Sequence, residues 1–542
     1  MSRAIAGPRH ESVLETHPAR LAPSAPALTR TRWALIGVTS LICSAVLLST
    51  LTSDSLWTDE AFSAYMASQK SLGLLLSTLK HGDPSDQLTA LYYIYLHAWT
   101  TLFSASEFAL RAANIPFILL SSFALCWASQ RVFHSTTLWI LAALSPFSWA
   151  YAADARPHFA LVAWSAICFA GLLGWLESST PFERRSLPFL VLACLALGLA
   201  FNVLMILTIP PLIVIAAIYR LHKPGIDFFR WRLPVRLLAV PILAVLGYIG
   251  WGLSHGVPSE YSKPNLLSLA SVLYRFAGLI GYGPNRRFDI SFSPYLPWMI
   301  TGAGLLLVGL GGAVLHRTRS RSQIRFIAIA AALLTGLLEV AVLSIVFQKQ
   351  EDIRHLASLE PLFVLAIMAA FAGVERKSSL TTKASLFLIA AVWLCGDLRV
   401  RFSPDYRSQG EDFRSAVALS MKLQKSLNAG LAWVADPAAG GYYGLDLDGP
   451  RPCFPFVDDC HEAFRKVAWV TTAPAEYAVR WNANTIREWL AEHASRHRPV
   501  IVLISQTRHP MYEQSPWWPF LRAAEKRTQY HPRGFLIQIF GR

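Results

Sequence analysis

The chain has 542 residues, 54% of them hydrophobic and only 15% charged, with a formal net charge of +15. A soluble chain of this length needs polar surface for roughly two to four domains, and this composition does not supply it. The excess positive charge does not call for nucleic acid either. Much of it sits in short loops at 219–236 (YRLHKPGIDFFRWRLPVR), 316–325 (HRTRSRSQIR) and 375–378 (ERKS), which is the positive-inside pattern of a membrane protein.

In chain order, residues 1–32 are rich in Ala, Pro, Ser and Arg and read as a disordered cytoplasmic tail, held inside by Arg3, Arg9, Arg20, Arg30 and Arg32. The apolar run that follows is too long for the h-region of a cleaved signal. About twelve apolar runs, many near the length needed to cross a bilayer, succeed one another: 33–52, 88–104, 109–129, 135–152, 158–176, 187–202, 203–219, 236–254, 295–315, 325–347, 355–374 and 380–396. The composition predicts a polytopic α-helical membrane protein with about 12–13 transmembrane helices. Residues 53–87 and 255–294 form long outer loops. The two ends and the basic loops together require an odd number of crossings, whereas the runs number about twelve. One early run is therefore expected to be broken or re-entrant, or one crossing is hidden.

Beyond 396 the chain turns soluble in character and predicts a small extracytoplasmic α/β domain, 397–542. Strands are expected at 431–436, 467–472, 499–505 and 535–540, and helices at 411–427 and 484–497. Cys43, Cys126, Cys168, Cys194 and Cys395 lie in apolar runs and read as small core residues. Cys453 and Cys460, in the polar stretch RPCFPFVDDC, are either free thiols or, outside the cytoplasm, a disulfide.

Five stretches carry charge where a membrane protein has little reason to spend it. In SLWTDEAFSAYMAS (55–68), Asp59 and Glu60 follow the first span. They read either as a helix start, with Thr58 or Asp59 as N-cap, or as a catalytic pair. Neighbours on a helix point about 100° apart, so one acid can face a cleft while the other orients something else. In HGDPSDQLTALYYIYLHAW (81–99), Asp83 and Asp86 precede a tyrosine-rich span containing His97, which is either a satisfied core histidine or a pathway residue. SPFSWAYAADARPHFAL (145–161) brings Asp154 and Arg156 between two spans, as a loop-closing ion pair or as a fork for phosphate. QKQEDIRHLASLEPLFVLAI (348–367) places Lys349, Arg354 and His355 at the outer mouth of a span, against the positive-inside trend. YGPNRRFDIS (282–291) adds Arg286 and Arg287, either an exposed basic turn or a phosphate or sugar contact. Glu339 is an acid inside a span.

Taken in order, these pieces resemble the membrane glycosyltransferases of the GT-C fold. They look most like the bacterial family related to protein O-mannosyltransferases and to the transferase that puts aminoarabinose on lipid A. The resemblance rests on WTDEAFSAYMA after the first span, LTALYYIYLHAW, an intact SEFALR at Ser106–Arg111, SPFSWAYAADARPHF and IRHLASLEPLF, and it covers roughly 33–396. Leu88-Thr89-Ala90 replaces the usual Pro-Pro approach, Asp154 stands for a glutamate, and His158 and His355 stand for tyrosines.

The resemblance implies an enzyme of the bacterial inner membrane with its active site on the periplasmic side. It would transfer a sugar from a polyprenyl-phosphate donor to a lipid, glycan or protein acceptor by a single inverting displacement. Asp59 would be the general base, and Glu60 would orient the acceptor or Asp59. Arg156, Arg354 and His355 would hold the donor phosphate, with Asp154, Asp83, His97 and Arg111 in support. No cofactor is required by this reading. A divalent cation is compatible with the two acids, though no ligand set forms a site. A flippase of lipid-linked sugars and a non-catalytic scaffold are the alternative readings. A transporter is expected to carry ionisable groups near the bilayer midplane, whereas these cluster at one face.

Overall fold

The structure is a computed structural model that describes residues 29–80, 88–178, 180–223, 231–254, 266–283, 295–315, 322–346, 352–372, 380–403, 406, 410–435, 437–445, 483–497, 499–505, 518–523 and 528–540. The chain is mostly helical. Seven helices among the described residues are long and apolar enough to cross a membrane: Arg30–Leu48, Glu107–Arg131, His158–Leu176, Pro181–Phe201, Val203–His222, Gln323–Val346 and Ile353–Phe371. Long helices also run over Arg232–Ser254, Leu296–Leu315 and Leu380–Phe402. His158–Leu176 is the most deeply buried of the seven and forms the centre of the bundle. Small residues let its neighbours approach: a side chain at Gly174 would collide with the ring of Trp127.

Ion pairs mark the two ends of the bundle. At one end Arg131 meets Glu183 (2.8 Å), and Lys223 and Arg325 both reach Glu177 (3.3 Å each). At the other end lie Asp59, Arg156, Arg354 and the C-terminal residues. Helix Ala90–Leu102 has 13 residues, about 20 Å of rise, short of a ~30 Å hydrocarbon core. It starts beside Arg156, whose Nη1 donates to the Tyr93 hydroxyl (3.1 Å). Just beyond its end, the Ala105 carbonyl accepts from the Tyr442 hydroxyl (2.7 Å). Both ends are therefore tied to the same face. As a helix the run 88–104 is too short to span the hydrocarbon core, and both its ends bond to residues of the site end.

The run 135–152 is also interrupted. It folds as two short helices, Ile140–Ala143 and Pro146–Ala152, separated where Pro146 cannot continue the ladder. A break in apolar surroundings needs a polar partner. The Glu360 carboxylate supplies it, accepting from the hydroxyls of Ser145 and Ser148. Glu339, the other acid inside a span, is half-buried on helix Ser322–Val346.

The segment Leu266–Tyr282 bends at Gly278, whose φ of 92° suits a residue without a Cβ. Gly281 then packs directly on the Gly396 backbone, where no side chain would fit. Arg275, just before the bend, reaches Asp352 (3.8 Å).

The C-terminal residues form the expected α/β unit. Strands β1 (Gly430–Val434), β2 (Val500–Ser505), β3 (Gln529–Tyr530) and β4 (Phe535–Phe540) make one sheet in the order β1-β2-β4-β3. β1 and β2 are parallel, which requires a crossover, and helix Ala483–Ser495 lies on it. β4 pairs antiparallel with β2 and β3. Helix Phe413–Leu427 covers the sheet through Phe413, whose ring stands 4.8 Å from Phe535. The expected strand at 467–472 lies outside the described residues, and β3 was not legible as a strand.

Impermeant thiol labelling checks the topology. In a background without native cysteines, Ser104→Cys and Gly444→Cys should react from the same side of the membrane and Arg220→Cys from the other. Labelling of Ser104→Cys and Gly444→Cys from opposite sides would restore 88–104 as a crossing.

Candidate active site

The site is built around helix Thr58–Ala67, which starts directly after the loop leaving the first span. Its N-cap is Trp57, one residue before the expected Thr58 or Asp59. Trp57 brings no side-chain oxygen to the orphan amides of the first turn. Two carboxylates do that work, one from the third residue of the helix itself and one from far along the chain. The Glu60 carboxylate accepts from the Trp57 N–H (3.3 Å). Glu411, at the start of the C-terminal region, accepts from both the N–H (2.9 Å) and the hydroxyl (2.7 Å) of Thr58. Negative charge at this end also complements the helix dipole.

Glu60 is buried. Arg111 grips it through Nε (2.8 Å) and Nη2 (2.6 Å), a bidentate ion pair with both side chains almost wholly enclosed. The Ala155 N–H adds a further bond at 3.0 Å. Arg111 spends its remaining donors on the carbonyls of Thr52 (3.1 Å), Asp54 (2.7 Å) and Ser55 (3.2 Å). Each oxygen of Glu60 thus already accepts two hydrogen bonds, and the pair fixes the turn that carries Asp59.

Asp59 points elsewhere. Its carboxylate, partly exposed, accepts from the Arg354 guanidinium. Arg354 also faces Asp352 through Nε (3.5 Å), and Asp352 faces Arg275 (3.8 Å). Arg156 arrives from the loop between two spans and donates through Nη1 to the Asp59 carbonyl (3.3 Å), to Ser63 (3.4 Å) and to Tyr93. His355 follows Arg354 on the same 3-10 turn, Ile353–Leu359, and its Nδ1 accepts from the Asp352 N–H (3.2 Å). That bond leaves the proton on Nε2. His158 is buried nearby with neither ring nitrogen partnered, its ring edge-on to Tyr151 at 5.5 Å. Three guanidinium groups (Arg156, Arg275 and Arg354) and two histidines (His158 and His355) thus gather round the carboxylates of Asp59 and Asp352. The set suits a phosphate with a hydroxyl beside it.

Asp154 is buried, receives the Trp57 indole N–H (3.2 Å) on one oxygen, and has no partner on the other. Burial, and then the charge of Glu60, push its carboxyl up to about 8.

The structure therefore brings Asp59, Glu60, Arg111, Asp154, Arg156, Arg354 and His355 together. It separates His97, whose Nδ1 sits 2.9 Å from the Ala67 carbonyl at the far end of the site helix. That contact ties helix Ala90–Leu102 to the end of the site helix. Asp83, Arg286, Arg287, Cys453 and Cys460 lie outside the described residues. Arg275, Asp352 and Glu411 belong to the cluster and were not singled out from the sequence. Among the described residues, no three or more His, Cys, Asp or Glu side chains are grouped to hold a metal ion.

No family model matches this chain, and no curated protein matches it. Solved structures do. The class that the bundle, its short membrane-face helices and the terminal sheet define is the GT-C fold. The crystal structure of ArnT from Cupriavidus metallidurans bound to undecaprenyl phosphate is similar over 94% of this chain and 98% of that one, with a TM-score of 0.50 and 13% identity. The apo state of the same ArnT gives a TM-score of 0.51 over the same shares at 13% identity.

The cap supplied by Glu411 is testable. Glu411→Ala should raise hydrogen exchange in the first turn of Thr58–Ala67 by an amount equivalent to about 1–2 kcal/mol of lost capping. Unchanged exchange there would show that the C-terminal region does not stabilise the site helix.

Proposed function

We propose that this protein is a membrane glycosyltransferase that moves a sugar from a polyprenyl-phosphate donor to an acceptor on the outer face of the bacterial inner membrane. The observation that carries this reading is the Asp59 carboxylate held by Arg354 and flanked by Arg156 and His355, at the membrane end of a GT-C fold. A lipid-linked phosphate explains why such a cluster belongs at that height. Its oxygens match guanidinium forks, and its chain stays in the bilayer.

The chemistry is a single displacement. The acceptor hydroxyl oxygen attacks the anomeric carbon from the face opposite the phosphate. A carbon–oxygen bond forms there as the bond to the phosphate oxygen breaks. The hydroxyl proton passes to Asp59. Polyprenyl phosphate leaves with the electron pair, its growing charge met by Arg354, Arg156 and the Nε2–H of His355. In a cleft poor in water these donors act far more strongly than in solvent. Arg354 has two tasks. Without ligand it neutralises Asp59. When phosphate takes over the guanidinium, Asp59 is freed to accept a proton.

Asp59 and Glu60 are adjacent on one helix, so they cannot flank a sugar ring from opposite sides, as a double-displacement pair would. The transporter alternative gains no support, because these charges gather at one end of the bundle and not at its middle.

In membranes supplied with radiolabelled polyprenyl-phosphate sugar, Asp59→Asn should fold and lower transfer by roughly a hundredfold or more, the usual scale for a lost general base. Arg354→Ala should fall by a similar factor. Wild-type transfer by a folded Asp59→Asn protein would remove Asp59 from the base role.

A further inference from the structure

Shortly after helix Leu380–Phe402 stands another pair of neighbouring acids, Glu411 and Asp412. Gly410 precedes them with a φ of 79°, a left-handed turn that favours a residue without a Cβ. Asp412 serves its own helix. As N-cap of Phe413–Leu427, its carboxylate accepts from the Ser415 N–H (3.1 Å) and hydroxyl (2.8 Å). Its N–H donates to the Arg533 carbonyl (3.1 Å), which ties this turn to the chain between β3 and β4. On the membrane side, the Arg414 N–H donates to the Ser55 hydroxyl (3.2 Å). Glu411 faces that side too. It is 4% exposed, and one of its oxygens takes both donors of Thr58.

The first bond inside the site helix runs from the Ala61 N–H to the Trp57 carbonyl (2.9 Å). The amides before Ala61 therefore need partners from outside the helical ladder. Asp59 is the side chain nearest to hand. A first-turn aspartate accepts readily from backbone amides of its own turn, and the helix dipole favours it there. Turned back in that way, its carboxylate would lie along the helix end, away from Arg354. Two other carboxylates stand in its place, Glu60 on the Trp57 amide and Glu411 on the Thr58 amide. The Asp59 carboxylate goes to Arg354.

We propose that Glu411 is a positioning residue: by occupying the Thr58 amide, it keeps the Asp59 carboxylate turned outward to the cations. It acts through Asp59 and not on the substrate. The consequence for transfer rests on the transferase reading, in which Asp59 is the base, whereas the orientation of Asp59 does not. The Glu60–Arg111 pair cannot do this alone. Glu60 spends its four bonds on Arg111 (two), Ala155 and Trp57, and none of them reaches the Thr58 amide. What Glu411 supplies there is an acceptor oxygen, so a neutral acceptor of the same shape serves the same end.

Carbon-13 NMR of the full-length protein in detergent, labelled at its aspartate carboxyls, reads the orientation. The Asp59 signal is the one that Asp59→Asn removes. In Glu411→Ala that signal should move, as the carboxylate exchanges Arg354 for the freed amide. In Glu411→Gln, whose side-chain oxygen still accepts from Thr58, it should stay. With polyprenyl-phosphate sugar supplied, Glu411→Ala should lower kcat roughly fivefold to tenfold, the scale of a lost cap, and leave KM for the lipid donor within about twofold of wild type. Glu411→Gln should bring kcat back to within about threefold of wild type. If Glu411→Ala does not fold, Glu411→Leu, which fills the space and offers no acceptor, carries the same comparison. The proposal is overturned if the Asp59 signal stays in place in these variants, if KM rises while kcat holds, or if Glu411→Gln loses as much as Glu411→Ala. A wild type that transfers no sugar, with the Asp59 signal behaving as described, would remove the transferase reading and leave the orientation standing.

Discussion

The buried pair of Glu60 and Arg111 is the constraint on which the rest of the site depends. Burying two charges is expensive, and breaking such a pair by removing one partner costs about 3–5 kcal/mol. Here the cost is offset because every donor of Arg111 is used and Glu60 also takes two backbone amides. The bonds run to three separate pieces of chain: the loop after the first span, the first turn of the site helix, and the loop holding Asp154 and Arg156. One ion pair thus sets the distance between the helix that carries Asp59 and the loop that carries Arg156. Glu60 turns inward to be held, and its neighbour Asp59 is thereby turned outward.

The same turn is braced from the C-terminal side. Glu411 caps it, the Tyr443 hydroxyl accepts from the Leu56 N–H (2.7 Å), and Arg414 reaches Ser53 and Glu107 (2.5 Å each). The α/β unit therefore does more than follow the last span. Its residues complete the N-terminus of the helix that presents Asp59, so anything that moves this unit reaches Asp59 through one hydrogen-bonded turn. A cap from so distant a residue is rigid only while the two parts stay docked, which gives the site a built-in dependence on the C-terminal region.

Much of this was legible in the sequence because charge in a membrane protein is conspicuous. Asp59, Asp154, Arg156, Arg354 and His355 stood out as charged or polar groups where apolar chain is the rule, and the structure brings them together. Arg275 obeys the same logic, a cation on the outer face, yet the apolar run around it hid the signal. Asp352 was visible only as part of QEDIRH, and its bridging position depends on the turn that follows. Glu411 could not be found, because its partner lies 353 residues away and no local pattern encodes that contact. The run 88–104 misled for the opposite reason. Apolar length suggested a crossing, but the polar contacts at the two ends decide which face each end occupies. The broken run 135–152 was anticipated in kind, though its repair by Glu360 was not.

The central claim is that the cations around Asp59 seat a lipid-linked phosphate and that Asp59 waits on Arg354 until the phosphate arrives. Native mass spectrometry of the purified protein with polyprenyl phosphate, without sugar, tests it directly. Asp59→Asn removes the competing carboxylate charge from Arg354 and should bind the lipid phosphate at least as tightly as wild type. Arg354→Ala should bind it about tenfold more weakly or worse. Equal binding by Arg354→Ala and wild type, or a loss in Asp59→Asn as large as that in Arg354→Ala, would contradict the account.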